Sequence, residues 1–259
     1  MVAVGALVVV DDLRPAQWLT ESIRGFAVDV GSLVPANFGA YARVLHPAYD
    51  DGERVSWAQI ARANHRIAHP QMQFNRLIGY ASRYSPGYPN RQPGIFDKAP
   101  AVGALPAEVA APLVHTLAGH TTCTDDCWFA VWDGWGCLDE VFSDHPKFQL
   151  PNRNYHLARG PLAAAAQSVS SWHLHQSCNL WWPADHAWCV ATEIDLDSTY
   201  IGATEACIEE LLANPDVDAV PLSLTAGVTA DSDTLNPVSE PDSPTEWPTL
   251  RRRPPKPSP

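Results

Sequence analysis

Three groups of residues in this chain have the types and spacing to do chemistry. The first is HTLAGHTTCTDDC, which places His115, His120, Cys123 and Cys127 within thirteen residues. Zinc takes four N or S ligands in a tetrahedron, and a helix end passing through a loop into a strand can wrap such residues around one ion. The stretch lacks a paired CxxC…CxxC, and Cys127 also reads as a small apolar side chain inside a hairpin. No cofactor is therefore expected, with zinc here as the alternative. His65 and His69 sit four apart, as on one helical face, but no glutamate follows His65 to make HExxH, and Pro70 marks the helix as ending. His173 and His175 form a third pair, which lacks a third ligand.

The second group is WCVATEIDLD. Read as a strand from Trp188 to Leu196, its alternation sends Glu193, Asp195 and Asp197 to one face and Trp188, Val190, Thr192, Ile194 and Leu196 to the other. Carboxylates two residues apart can hold a divalent cation or act as an acid and base pair, and an outer polar face has the same pattern. The third group is aromatic. Seven of the ten tryptophans lie between residues 127 and 188. Trp132, Trp135, Trp181, Trp182 and Trp188, with Asp185, Glu193 and Asp195, form the candidate ligand-binding set, because aromatic faces beside carboxylates suit sugar rings and organic cations. The competing reading packs these indoles into the core.

The elements that must position these residues read as a mixed α+β chain: a single domain over residues 1–224, with an antiparallel sheet, a Trp-rich hairpin and short helices. A strand covers residues 2–10, and Pro15 opens a short helix carrying Trp18, Ser22, Ile23 and Phe26 on one side, with Gly25 near its end. Ser56 caps a helix from Trp57 to about Asn64. The proline-rich stretch 70–105 reads as an irregular excursion. A helix follows Pro106, with Leu113, Val114 and Leu117 inward and Gly119 as its stop. CWFAVW-DG-WGCLDEVF predicts a hairpin with a type I′ turn at Asp133-Gly134 and Trp132 opposite Trp135. The run from Pro161 to Ser171 predicts a helix, as does Glu205 to Ala213 ahead of Asn-Pro, and a last strand covers Ala219 to Leu224. From Thr225 the composition turns proline-rich and loses apolar periodicity, which predicts a disordered tail over 225–259. Its closing RRRPPKP suits an acidic surface or an SH3-like groove, or is a solvated terminus.

A net charge of −12 repels a phosphate backbone, and no basic stripe offsets it, so nucleic acid is not an expected partner. The N-terminal apolar run is too short to span a bilayer and no cationic segment precedes it, so neither a membrane segment nor a signal peptide is expected. The cytoplasm is the expected location, with the six cysteines reduced. No nucleophile elbow, phosphate-binding loop or dinucleotide fingerprint is present.

LVPANFGAYARVLHPAY, CWFAVWDGWG, YHLARGPL and LWWPADHAWCVATEIDLDSTYIG resemble a group of conserved hypothetical proteins of high-GC Gram-positive bacteria, over about residues 30 to 222. The resemblance implies no activity, cofactor or catalytic residue. The VP-x-x-F-x-x-Y element is also similar to the Leu-Pro-x-x-Tyr opening of the SUKH immunity-protein superfamily. The residues point to a non-catalytic binding protein that holds a partner protein or small ligand on a Trp- and acid-rich surface, immunity-like in that an acidic chain would block a basic one. The alternative is a metal-dependent or acid–base enzyme using Glu193 and Asp195 on a polar substrate. Oligomeric state is not legible.

Overall fold

A computed structural model describes residues 3–239. In chain order the strands are β1 (Ala3–Val4), β2 (Leu7–Val9), β3 (Ala40–Leu45), β4 (Ala48–Asp50), β5 (Glu53–Val55), β6 (Cys127–Trp132), β7 (Lys147–Leu150), β8 (Arg153–Gly160), β9 (Leu180–Pro183), β10 (Cys189–Ala191), β11 (Ser198–Ala203) and β12 (Ala219–Leu222). The α-helices are α1 (Gln17–Ser22), α2 (Trp57–Ala63), α3 (Phe74–Leu77), α4 (Ala107–Ala118) and α5 (Glu205–Ala213). The class is α+β with an antiparallel sheet, as the sequence predicts. None of the described helices is long and apolar enough to cross a membrane. The described residues divide into two compact units, 3–46 with 101–228, and 47–100 with 229–239.

The first unit holds a ten-stranded antiparallel sheet in the order β1-β2-β8-β6-β9-β10-β11-β3-β12, with β7 also paired to β8. Strand alternation sorts its side chains into two cores. Phe129, Val131, Trp181, Trp188, Val190 and Ile201 pack with α4 and α5 residues such as Leu113 and Leu211. Ala130, Tyr155, Leu157, Leu180, Trp182, Cys189 and Tyr200 pack with Leu19, Ile23, Val30 and Leu33. The adjacent indoles Trp181 and Trp182 thus enter opposite cores. Local chemistry explains the helices that sequence reading located: the Thr204 side chain accepts from the Cys207 amide to start α5, and α4 follows Pro106 and ends at Gly119.

Four expected elements of the first unit change. The 2–10 strand is a tight pair, β1 and β2, broken at Gly5 with φ +58°. The 161–171 helix is only a 3₁₀ segment, Leu162–Ala166. The strand expected from Trp188 to Leu196 stops at Ala191, and Glu193 to Leu196 form a turn. The Trp-rich hairpin does not form. Both edges of β6 are taken, by β8 and β9, so no edge remains for the residues after Gly134. The Trp132 ring lies over Gly134, where a Cβ would come within 2.1 Å of it, and the chain turns away into the 3₁₀ segment Glu140–Phe142.

In the second unit β4 and β5 form a hairpin around Asp51-Gly52, both with positive φ. The Asp-Gly turn chemistry expected at 133–134 operates here instead. Ser56 and Gln59 form the capping box that starts α2. The helix ends at Ala63, so His65 and His69 do not share a helical face. The described part of the tail expected from Thr225, residues 225–239, is held by the fold. Ala226 and Val228 are buried in the first unit. In the second, the Asp233 carboxylate accepts from the Gln73, Leu235 and Asn236 amides, the Asn236 side chain and the His69 ring. One buried carboxylate with this many donors holds a segment whose composition alone offers little apolar surface. The RRRPPKP stretch lies outside the described residues.

Candidate functional site

The pleat of β8 places Arg153 and Tyr155 on one face of the sheet, two residues apart. Arg153 follows the two-residue turn Pro151-Asn152 of the β7–β8 hairpin, with Asn152 at φ +58°. Its guanidinium reaches the turn after β10. Nε and Nη2 donate to Glu193 Oε1 at 3.1 and 2.8 Å, and Nη2 donates to Asp195 Oδ2 at 3.0 Å. The Glu193 side chain is 6% exposed and that of Asp195 55%. The second carboxylate oxygen of Glu193 accepts from the Asp195 backbone amide. Aromatic rings enclose the guanidinium, its carbon lying 4.6 Å from the Phe26 centroid and 5.6 Å from that of Trp132. A planar cation with delocalised charge suits this position, since its face meets the rings while its edge serves the carboxylates.

Asn179 fixes the surroundings. Its side-chain oxygen accepts from the Trp132 amide at 3.0 Å and from the Trp135 indole at 3.2 Å, and its amide nitrogen donates to the Thr192 carbonyl at 3.1 Å. Trp132 and Trp135 meet edge to face at 5.3 Å. Gly103, at φ +74°, lets the backbone pass so close to the Ile194 carbonyl and the Trp135 ring that a Cβ would meet them at 2.5 and 2.9 Å. The 193–196 turn is therefore gripped from two sides. Behind it, Ile23, Phe26, Leu33, Leu150, Tyr155, Leu180 and Ala191, with Arg153 and Glu193, line a narrow cleft of about 30 Å³.

The structure gathers Trp132, Trp135, Glu193 and Asp195 of the expected ligand set, by a turn rather than by strand alternation. It separates the other four. Trp181, Trp182 and Trp188 are at most 1% exposed and belong to the cores, so they present no face to a ligand. Trp188 donates to the Leu117 carbonyl and Trp181 packs edge-on against it. Asp185 clasps a loop, accepting from Thr121, Thr122 and the Ala187 amide. Burial alone would raise its pKa, but these donors outweigh burial and hold it below the usual carboxylate value.

The zinc set is not assembled. Among the described residues no three His, Cys, Asp or Glu side chains form a metal-binding group. His115 is exposed on α4, His120 bonds Glu210 at 2.8 Å, and the buried Cys127 thiol donates to the Cys123 carbonyl. Burial pushes the Cys127 thiol up to about 12, against the thiolate that a metal requires. His173 is exposed, and His175 reaches the Leu105 carbonyl.

Sequence reading missed Arg153, Asn179, Phe26 and Tyr155. The available signal was the alternation in RNYHLARG, which puts Arg153 beside Tyr155 at the start of a strand. No family model matches this chain, and no curated protein or solved structure matches it either.

Proposed function

We propose that the chain is a non-catalytic binding protein whose recognition face is built on Arg153, Glu193, Asp195, Phe26 and Trp132, and that it takes a cationic segment of a partner protein. The observation that carries this reading is how the carboxylates are used. Glu193 has one oxygen on the Arg153 guanidinium and the other on the Asp195 amide, which fixes the turn and leaves no carboxyl oxygen unengaged for proton transfer. Asp195 stands half exposed beside a partly exposed indole, and the Arg153, Glu193 and Asp195 charges sum to one negative. On a chain of net charge −12, such a face draws in cations and offers them an aromatic edge. Its parts are locked before binding, which limits the entropy lost on association.

Calorimetric titration with heptalysine at low and at physiological salt tests the reading. Saturable binding that weakens with salt and falls in Asp195→Asn is expected. Absence of saturable binding, or equal binding to wild type and Asp195→Asn, overturns it.

A further inference from the structure

The sheet of the first unit ends at β12, and a groove of about 470 Å³ lies between this last strand and α5. Ile208 and Leu212 of α5 come to it from one core of the unit, and Tyr41, Leu222 and Leu224 from the other. Both apolar layers, kept apart by the sheet elsewhere, therefore reach the surface at its edge. Ile208 and Tyr41 are buried, while Leu212, Leu222 and Leu224 stay half-buried.

The polar side chains of the groove are few, and most are engaged. The Tyr41 hydroxyl donates to the Pro35 carbonyl at 3.1 Å and accepts from the Phe38 amide at 3.3 Å. The Ser223 hydroxyl lies 3.5 Å from that of Thr225. Two carboxylates remain. Glu205 and Glu209 stand exposed one helical turn apart on the α5 wall and make no hydrogen bond or ion pair among the described residues, whereas the neighbouring Glu210 is taken by His120. Like charges at this spacing repel, and a cation brought between them turns the repulsion into attraction.

The same chemistry disfavours other occupants. An added strand would pair with the outer edge of β12. The Leu45 amide donates to the Asp218 carbonyl, so alternation along the ladder points the backbone groups of Ala219 and Pro221 outward, and Pro221 has no N–H to give. A second copy would bring the same proline and the same glutamates, on a chain of net charge −12. A small polar ligand would meet an apolar wall with few side-chain groups free to orient it.

We infer that the groove docks an amphipathic helix of a partner protein, its apolar stripe on Leu212, Leu222 and Leu224 and its lysines or arginines on Glu205 and Glu209. A helix satisfies its own backbone and so needs no hydrogen bond from β12. The groove is built on other elements than the Arg153 face and does not depend on the reading of that face.

The test titrates the full chain by calorimetry with the peptide LKKLLKLLKKLLKL, whose leucines fall on one helical face, while NMR follows the backbone amide resonances of Glu209, Leu212 and Leu222. Saturable binding that shifts all three is expected. The double variant Glu205→Gln with Glu209→Gln, at exposed positions and with an unchanged or higher melting temperature, should bind about fivefold more weakly, the loss of two exposed ion pairs. Equal affinity of wild type and double variant, or shifts that miss the groove, overturns the inference. The peptide LKLKLKLKLKLKLL has the same composition in strand order, and tighter binding of it would replace the helix by an added strand and so overturn the inference. Heptalysine offers cations without an apolar stripe and should leave the Leu212 and Leu222 resonances in place; a shift equal to that of the amphipathic peptide overturns the apolar role. A dimer in light scattering that Leu222→Thr dissociates would make the occupant a second copy, and tighter binding of a peptide of residues 240–259 would make it this chain's own C-terminus; either result overturns a partner helix. Asp195→Asn separates the two faces: the groove shifts should persist in it, and their loss would assign the peptide to the Arg153 face instead.

Discussion

Arg153 and Glu193, forty residues apart in the chain, meet at 2.8 Å in a largely buried pair that ties the β7–β8 hairpin to the turn after β10. Breaking such a pair from one side leaves a charge without its partner, whereas replacing both sides removes the problem. Arg153→Met should therefore destabilise the chain by about 3 kcal/mol in urea denaturation, and Arg153→Met with Glu193→Gln should recover more than half of that. A loss below about 1 kcal/mol for Arg153→Met would show that the pair does not hold the turn.

A second consequence concerns pH. His46 is fully buried, with Nδ1 on the Ala101 carbonyl and Nε2 on the Thr199 hydroxyl, which also bonds Thr192. Burial pushes the imidazole down to about 4 from its ordinary 6.5. A folded-state value below the unfolded one contributes stability that is complete above pH 6.5 and is lost as pH falls toward 4, because only the unfolded chain takes up the proton in that window. Between pH 7 and pH 5 the loss from this group should be about 2 kcal/mol. Melting curves at both pH values should show it in wild type and show a much flatter response in His46→Gln. An equal pH response in the variant would assign the effect elsewhere.

Asp233 yields a prediction about the C-terminal segment. Burial by itself raises its pKa, but donors from Asn236, His69 and the Gln73 amide more than offset it and leave the carboxyl below its ordinary 3.8. Stability from this group is therefore present above pH 3.8 and is lost as pH falls below it. Asp233→Ala leaves those donors buried without an acceptor, so residues 229–239 should become protease-sensitive at neutral pH while the first unit stays resistant. Unchanged cleavage in mass-spectrometric mapping would contradict this anchoring.

The cysteines sort by burial. Cys178 and Cys207 are each pushed up to about 12 by burial, Cys189 is pushed up as well, and Cys127 shares this state. Cys123 and Cys137 are half-buried. A thiol reagent applied to the native chain should modify Cys123 and Cys137 first and the other four only on unfolding. Rapid labelling of Cys127 in the folded chain would contradict its place at the start of β6.

The sequence was most legible where structure is local. Helices α2 and α5 announce themselves through Ser56 and Asn214-Pro215, and the Pro106 to Gly119 helix through its own ends. Asp133-Gly134 misled because turn chemistry states only what a dipeptide can do. Asp51-Gly52 has the same letters and makes the hairpin, since β4 and β5 on either side of it pair directly with each other, whereas β6 was already paired on both sides. The carboxylates of the site were visible in WCVATEIDLD, but the cation that orders them was not, because Arg153 reaches them only through the pairing of distant strands. The indoles divided for a similar reason: alternation puts Trp181 and Trp182 in opposite cores, and which tryptophan stays at the surface depends on how many strands lie on either side.

The central claim is that the face around Arg153 binds a cationic partner segment, and the indole N–H resonance of Trp132 reports on it most directly. Titration of heptalysine into ¹⁵N-labelled chain should shift that resonance saturably, leave those of the buried Trp181 and Trp188 in place, and lose the effect in Asp195→Asn. A Trp132 resonance that does not move while the peptide binds, or one that moves equally in Asp195→Asn, would contradict the account.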